Sequence, residues 1–512
     1  MPQAAGSNKT TPMKCGHLSR RGALGSWLFA TEGSLKERAL RGTIWLVLAE
    51  GLNRLAGVIK IAVLGRLLSP RDFGLLGVGL LIQQWIGSFT QTGVAATLIR
   101  KKGDIHDDLD TAWTIGLIRG SLVLVLIFFL APWGAGYFRS PEATPIIRWL
   151  GLLTLMWELV NPAVIHLRRE LDFRKDVAWR LSGVLPGLLT GIILALTWRN
   201  AWALVASLVA ARIAELVASY RIRPYRPRLH LDRHRARGLL RTGKWFSWMH
   251  VTGFFERQLD SLATARLLGA PALGYYQVAA QLALLPTVGL GSQVAAVLFP
   301  AFSRVEDRER LRRAFLGALG TLALVIGPLA CALSLYPDLV IHLLLGPNWS
   351  AAAASLAWLA WAGLAGTLGS AAASLLEASG CLKAAMALQL LRVTSLAALL
   401  YWLTPRFGFT GTAAAVAAAA ILTTAAQVAF AARLVETNWL DLLGTLKHAA
   451  LASLPFLTFR VVALPLATRW YLPLALASGV ASLYVVARTL RARLGIQFNN
   501  TRPADPVPAC PA

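Results

Sequence analysis

Apolar residues fill this chain in runs of about twenty, separated by short polar or glycine- and proline-containing breaks. A helix needs roughly twenty apolar residues to cross a bilayer, and only helices and closed barrels satisfy their own backbone there. Read as helices, the runs give about fourteen spans. They fall near 43–65, 73–98, 111–131, 146–165, 180–198, 201–218, 245–265, 273–299, 314–335, 351–375, 384–403, 410–432, 446–464 and 470–487. Ser69-Pro70 stops the first span and Asp72 is placed to cap the second. Asn161-Pro162 predicts a kink in the fourth. The expected class is an all-α polytopic membrane protein.

The pattern repeats. "GRLLSPRDFGLL" at 65–76 returns as "ARLLGAPALGYY" at 265–276, and an ungapped alignment of 41–100 with 241–300 has eleven identical positions. Six spans separate the copies, an even number, so both run in the same direction and the halves form a parallel repeat. The expected organisation is two six-helix lobes plus two C-terminal helices. Residues 1–40 form a disordered basic cytoplasmic tail, 41–220 the first lobe (spans 1–6) and 221–241 a basic cytoplasmic linker. Residues 242–433 form the second lobe (spans 7–12), 434–490 spans 13 and 14, and 491–512 a cytoplasmic tail. The repeated stretch supplies the expected hinge or gate: Gly65, Arg66, Pro70, Gly74, Arg266 and Gly274. Gly65 and Gly74 suit tight turning and close approach.

Composition agrees with a membrane protein and then explains the charge. Of 512 residues 56% are hydrophobic and 15% charged, against about 25% charged in soluble domains. The net charge of +26 divides by loop. Counting Arg148, Arg180 and Lys447 at span edges with the adjoining loops, 36 Lys and Arg lie on the side holding both termini, 8 on the other and 7 within spans. That is the positive-inside pattern, and both termini are expected in the cytoplasm. The charge is therefore topological, and no nucleic-acid partner is expected. Arg66 and Arg266 fall on the sparsely positive outer side, which hints at specific bonds such as those to helix-end carbonyls. The run 221–237, "RIRPYRPRLHLDRHRAR", belongs near lipid headgroups and can also meet anionic membrane lipid. "GALGSWLFA" is too short to span and no cleavage site follows it, so no cleaved signal peptide is expected.

Enzyme chemistry has little to stand on. The longest outer loops, near 131–145 and 336–350, are about fifteen residues and leave no room for a catalytic domain. No Walker A sequence or Gly-x-Ser-x-Gly elbow occurs. The eight His and four Cys show no metal-ligand spacing. No cofactor, metal or catalytic residue is expected.

The chemistry lies in ionisable residues inside spans, each costing roughly 2.5–3.5 kcal/mol at mid-helix. Glu50, Asn53, Arg54 and Lys60 on span 1 share an arc of about 120°, as do His250, Glu256, Arg257 and Asp260 on span 7. Both first helices are expected to wall a vestibule between the lobes. The alternative is internal pairing, as between Glu50 and Arg54 or Arg212 and Glu215. Arg119 and Arg392 lack a nearby acid in sequence. Arg outnumbers acid in this set, which favours an anionic ligand. The ligand set is Arg54, Lys60, Arg257, Arg119 and Arg392; Glu158, Glu256 and Asp260 are candidates for ion coupling.

Several runs together resemble a known family: "GRLLSPRDFGLLGVG", "GVAATLIRKK", "DLDTAW", "LRRELDFRK" (167–175), "RQLDSLATARLLGAPALGYYQVA" (257–279) and "VLFPAFSRV" (297–305). In this order they are similar to bacterial polysaccharide-biosynthesis flippases. These are the Wzx-type branch of the multidrug/oligosaccharidyl-lipid/polysaccharide exporter superfamily. The resemblance covers about 41–315. It implies a V-shaped bundle of twelve to fourteen helices in the bacterial inner membrane, working by alternating access. It also implies a polyprenyl-pyrophosphate-linked oligosaccharide as substrate, for exopolysaccharide, capsule or O-antigen, with other polysaccharide-assembly proteins as further partners. A cation-coupled multidrug or small-molecule exporter of the same superfamily predicts acids, not Arg, in the cleft. A membrane glycosyltransferase or polymerase needs a large catalytic loop.

Overall fold

The computed structural model describes residues 35–101, 105–170, 172–284, 297–463 and 477–489. Of the expected tails, 1–40 and 491–512, residues 1–34 and 491–512 lie outside the described residues, and 35–40 are helical, not disordered, since the first helix already starts at Leu35. The elements are helices, in the order α1 (Leu35–Leu67), α2 (Pro70–Thr90), α3 (Val94–Arg100), α4 (His106–Tyr137), α5 (Thr144–Glu158) and α6 (Ile165–Arg169). Then follow α7 (Phe173–Leu181), α8 (Val184–Trp198), α9 (Trp202–Ile222), α10 (Arg233–Leu268) and α11 (Ala270–Leu284). The last are α12 (Arg308–Leu335), α13 (Pro337–Leu344), α14 (Ala352–Ala378), α15 (Leu382–Leu434) and α16 (Trp439–Ala463). Residues 477–489 are also helical. Among the described residues seven helices are long and apolar enough to cross a membrane, or eight if one bent pair counts as a span.

Local chemistry explains where the elements depart from the expected spans. The run at 73–98 breaks in two, because Gly93 takes a left-handed conformation (φ 65°) between α2 and α3. The fourth span bends by 65° between Glu158 and Pro162. Asn161 fixes that bend, accepting from the Ala163 N–H and donating to the carbonyls of Arg223 (2.6 Å) and Tyr225 (3.1 Å). The 53 residues of α15 hold two of the expected spans, since Gly408 is non-helical (φ 62°, ψ −147°). Thr404 and Thr412, eight residues apart, meet at 3.2 Å through their hydroxyls. Leu396 and Leu400 share a core cluster with Ala415 and Ala419. A straight helix would separate such residues by well over 10 Å, so the chain doubles back at Gly408.

The linker is shorter than the expected 221–241. Asp232 accepts from the His234 and Arg235 N–H groups and starts α10 at Arg233. The extended stretch before it is bound along α4. Tyr225 donates its hydroxyl to Asp110 (2.8 Å), which also accepts the Arg228 N–H (2.9 Å). His230 and Asp232 donate backbone N–H groups to Thr114 and Thr111. Asp107, Asp110, Thr111 and Thr114 share one helical face, so α4 acts as a rail for the linker. Ala236 and Leu239 of α10 then pack with Val94 and Leu98 of α3 and Leu109 of α4.

The two copies of the repeated stretch touch. The start of α2 crosses the start of α11 so closely that a Cβ on Gly74 would strike the Ala270 carbonyl, and one on Gly274 the Pro70 carbonyl. Ser69 and Asp72 form a capping box at the start of α2. The second copy instead uses Gly269 at φ +81°. Around this crossing, core residues of both halves merge: Leu75, Val78 and Ile82 with Ala265, Ala270 and Leu273. Ile61 packs in a cluster with Tyr276, Leu345 and Trp349.

Candidate functional site

Two adjoining cavities open within the bundle. One, of about 620 Å³, lies between α1 (Glu50, Asn53, Lys60) and a wall that includes Trp157, Arg180 and Glu215. The other, of about 820 Å³, lies between α2 (Gln83, Gln84), α4 (Arg119), α5 (Glu158) and α10 (His250, Arg257). Trp157, Arg168, Trp179 and Glu215 border both. The first helix of each half therefore walls one chamber.

The acids of these walls are occupied. Glu158 pairs with Arg119, which also donates to the Thr90 carbonyl (2.9 Å) and the Gly87 carbonyl (3.3 Å) at the end of α2. Gly116 and Gly120, flanking Arg119 on α4, leave the notch that Glu158 fills; a Cβ there would meet its side chain at 2.6 and 2.9 Å. Glu215 pairs with Arg212 at 2.5 Å, and Arg212 lies 4.3 Å over the Trp157 ring. Glu50 pairs with Arg54 at 2.8 Å. Lys60 and Arg257 differ: among the described residues neither has a hydrogen-bond or ion-pair partner, and each lines a cavity. In a membrane interior an unpaired cation is costly, and an anion in the cavity offsets that cost.

The other expected site residues sit elsewhere. Arg54 is held by Glu50 and is not among the residues lining either cavity. Arg392 pairs with Glu256 at 3.4 Å on the second half's own helices. Asp260 accepts from the Tyr276 hydroxyl and the Ser261 N–H (2.7 Å). Neither Arg257 nor Lys60 serves Glu256 or Asp260. Two residues unassigned from the sequence join the walls: Arg168 and Arg180 both bind Asp176 through Nε, at 3.4 and 2.9 Å. Arg168 lies in the run "LRRELDFRK" (167–175), which reads as family likeness and not as a site, while Asp176 and Arg180 fall just beyond it.

The residues expected to form a hinge lie together at the other end of the bundle. Arg66 donates to the carbonyls of Leu343 and Leu344 at the end of α13, from Nε to Leu344 at 3.2 Å. This is the helix-end bond that its position suggested. Trp349 donates its indole N–H to the Gly65 carbonyl at 2.7 Å. Arg266 lies 4.6 Å over the Tyr137 ring at the end of α4. Each repeated Arg thus reaches from its own half to the segment at or after the third long helix of the other.

Fold and cavities together define a multi-pass helical membrane protein with two charged chambers: the smaller lies within the first half, not between the halves as expected, and the larger is closed by His250, Phe254, Arg257 and Gln258 of the second. The chain belongs to the polysaccharide biosynthesis protein family, whose pattern matches residues 63–354. It is 28% identical over 321 residues to the lipopolysaccharide biosynthesis protein WzxC of Escherichia coli K12, covering 62% of this chain and 65% of that one. It is 25% identical over 316 residues to the succinoglycan biosynthesis transport protein ExoT of Rhizobium meliloti, covering 61% and 63%. The match thus spans less than two thirds of these relatives' length. Among solved structures, the lipid II flippase MurJ superposes with a TM-score of 0.70 at 13% identity, covering 88% of this chain and all of that one. An inward-facing multidrug MATE transporter superposes with a TM-score of 0.55 at 14% identity, covering 77% and 98%. At these identities the two superpositions show a shared fold.

Proposed function

We propose that this protein is a flippase that moves a polyprenyl-pyrophosphate-linked oligosaccharide from the cytoplasmic to the periplasmic leaflet of a bacterial inner membrane. It acts there as a fourteen-span, two-lobed bundle with both termini in the cytoplasm. The observation that carries this reading is the pair of unpartnered cations, Lys60 and Arg257, in cavities whose acids are all paired. A pyrophosphate diester supplies the missing anion, and the neighbouring polar groups Asn53, Gln83 and Gln84 suit a sugar. The names of WzxC, ExoT and MurJ favour the same substrate class.

The mechanism follows from where the halves are bonded. The Arg66, Trp349 and Arg266 contacts close the end that the positive-inside pattern places outside. The cavities sit on the cytoplasmic side of that seal. Substrate enters there, its anionic group neutralising Lys60 and Arg257. Translocation then requires the seal to part while the helices re-pack about the α2–α11 crossing. A drug exporter coupled to cations would use unpaired carboxylates in the cavity. Glu50, Glu158 and Glu215 are each bound to an Arg, which disfavours that alternative.

Deletion of the gene followed by lipid extraction tests the reading. Lipid-linked repeat units should accumulate on the cytoplasmic face while surface polysaccharide is lost. Unchanged surface polysaccharide, in a strain without a second exporter, would count against it.

A further inference from the structure

We propose that Arg168 and Arg180, aimed by the buried carboxylate of Asp176, form the receptor for the diphosphate of the substrate. The inference rests on the flippase reading and gives the anion a specific seat. Asp176 is only 1% exposed, while the two Arg side chains are 44% and 48% exposed. Both Arg side chains spend Nε on Asp176. Among the described residues their Nη groups have no hydrogen-bond partner, so each guanidinium keeps both Nη groups, with four N–H donors, for a ligand. Both line the smaller cavity, and Arg168 borders the larger one as well.

A single ion pair would account for a buried Asp. It does not account for two Arg sharing it from different helices, each with its remaining donors unspent at a cavity wall. One carboxylate fixes two planar forks, and planar forks suit phosphate oxygens bidentately. The charges also match. Two Arg and one Asp leave one positive charge, and Lys60 on the α1 wall of the same cavity adds a second. A diphosphate esterified at both ends carries two negative charges. Asp176 is thus a positioning residue, and Arg168 and Arg180 are the contacts.

The test uses the full chain in lipid nanodiscs, with farnesyl diphosphate and farnesyl monophosphate as probes. Wild type should bind the diphosphate more tightly. Arg168→Gln and Arg180→Gln should each weaken diphosphate binding by about tenfold, the loss of one charged hydrogen-bonding group, and narrow the preference over monophosphate. Arg168→Lys and Arg180→Lys keep the charge and a bond to Asp176, so melting should hold while diphosphate binding still falls. Lys variants that bind as wild type would overturn the assignment to planar forks. Gln variants that melt and bind as wild type, while Lys60→Ala loses binding, would overturn the site and leave the flippase reading standing. A folded wild type that binds neither probe would overturn this site and the pyrophosphate reading together.

Discussion

Gly74 packs against the Ala270 carbonyl, and Gly274 packs against the Pro70 carbonyl. Residues 70 and 270, like 74 and 274, occupy the same place in the repeat. The contact is therefore its own image across the two halves. It lets backbone meet backbone where α2 and α11 start, and no flexible side chain is there to give way.

Gly74→Ala and Gly274→Ala should each lower stability by about 1–3 kcal/mol, the range for overpacking. The double variant should cost less than the sum, because one added methyl already parts the helices and makes room for the second. Thermal unfolding in nanodiscs measures this. Strictly additive losses would mean that the two glycines act independently.

The contacts of Arg66 and Trp349 should hold the outer end shut. Arg66→Ala removes the donors to Leu343 and Leu344, and Trp349→Phe removes the donor to Gly65. Either change should raise the labelling rate of a Gln84→Cys probe, in a background without native cysteines, by a membrane-impermeant thiol reagent added outside. Labelling as slow as in the parent would show that these bonds do not close the cavity.

Arg119 and Glu158 are 13% and 16% exposed. Losing one partner of such a pair costs about 3–5 kcal/mol, so Arg119→Ala should destabilise strongly. Removing Glu158 as well should recover part of that loss, since no buried carboxylate is then stranded. Unfolding midpoints of the two single variants and the double variant test this. A double variant as unstable as the sum would contradict the pairing.

Neither Tyr225 nor Asp232 should make the linker along α4 sensitive to pH across the neutral range. Burial, together with its hydrogen bond to Asp110, pushes the Tyr225 phenol up to about 12. A raised pKa gives stability that is whole below the ordinary tyrosine value near 10 and lost as pH climbs through the raised one. The Arg235 backbone N–H, followed by that of His234, holds the Asp232 carboxyl below its usual range. A lowered pKa gives stability that is whole above about 3.9 and lost as pH falls through the lowered value. With His106, His230 and His234 replaced by Gln, hydrogen exchange of amides 225–236, corrected for intrinsic rates, should give equal protection at about pH 5.5 and about pH 8.5. Tyr225→Phe should cost about 1 kcal/mol, because Asp110 keeps the Arg228 N–H. A protection step inside that pH window would identify another titrating group.

What the sequence carried was mostly local or repeated. Ser69 and Asp72 announce a cap three residues apart. Asn161-Pro162 announces a bend, and Arg212 and Glu215 announce a pair on one helix. The echo of 65–76 in 265–276 announces that two segments are alike, and their contact then brings the halves together. What stayed hidden was non-local. Arg119 finds Glu158 across 39 residues, and Arg392 finds Glu256 across α15 and α10. No periodicity reports such distances. The short linker was within reach, since Asp232 before a basic run is an ordinary N-cap. Its neighbouring charges read more readily as an unstructured loop.

Transfer of the lipid-linked glycan itself is the most direct measurement. The glycan that accumulates in the deletion strain is placed in one leaflet of vesicles containing the purified protein, and its access to an impermeant sugar-modifying reagent is followed in time. Protein-dependent appearance in the opposite leaflet, slowed several-fold or more by Lys60→Ala and by Arg257→Ala, is the predicted result. Folded protein that moves no lipid-linked glycan, or that moves it equally well without both cations, would contradict the flippase mechanism proposed for this cavity.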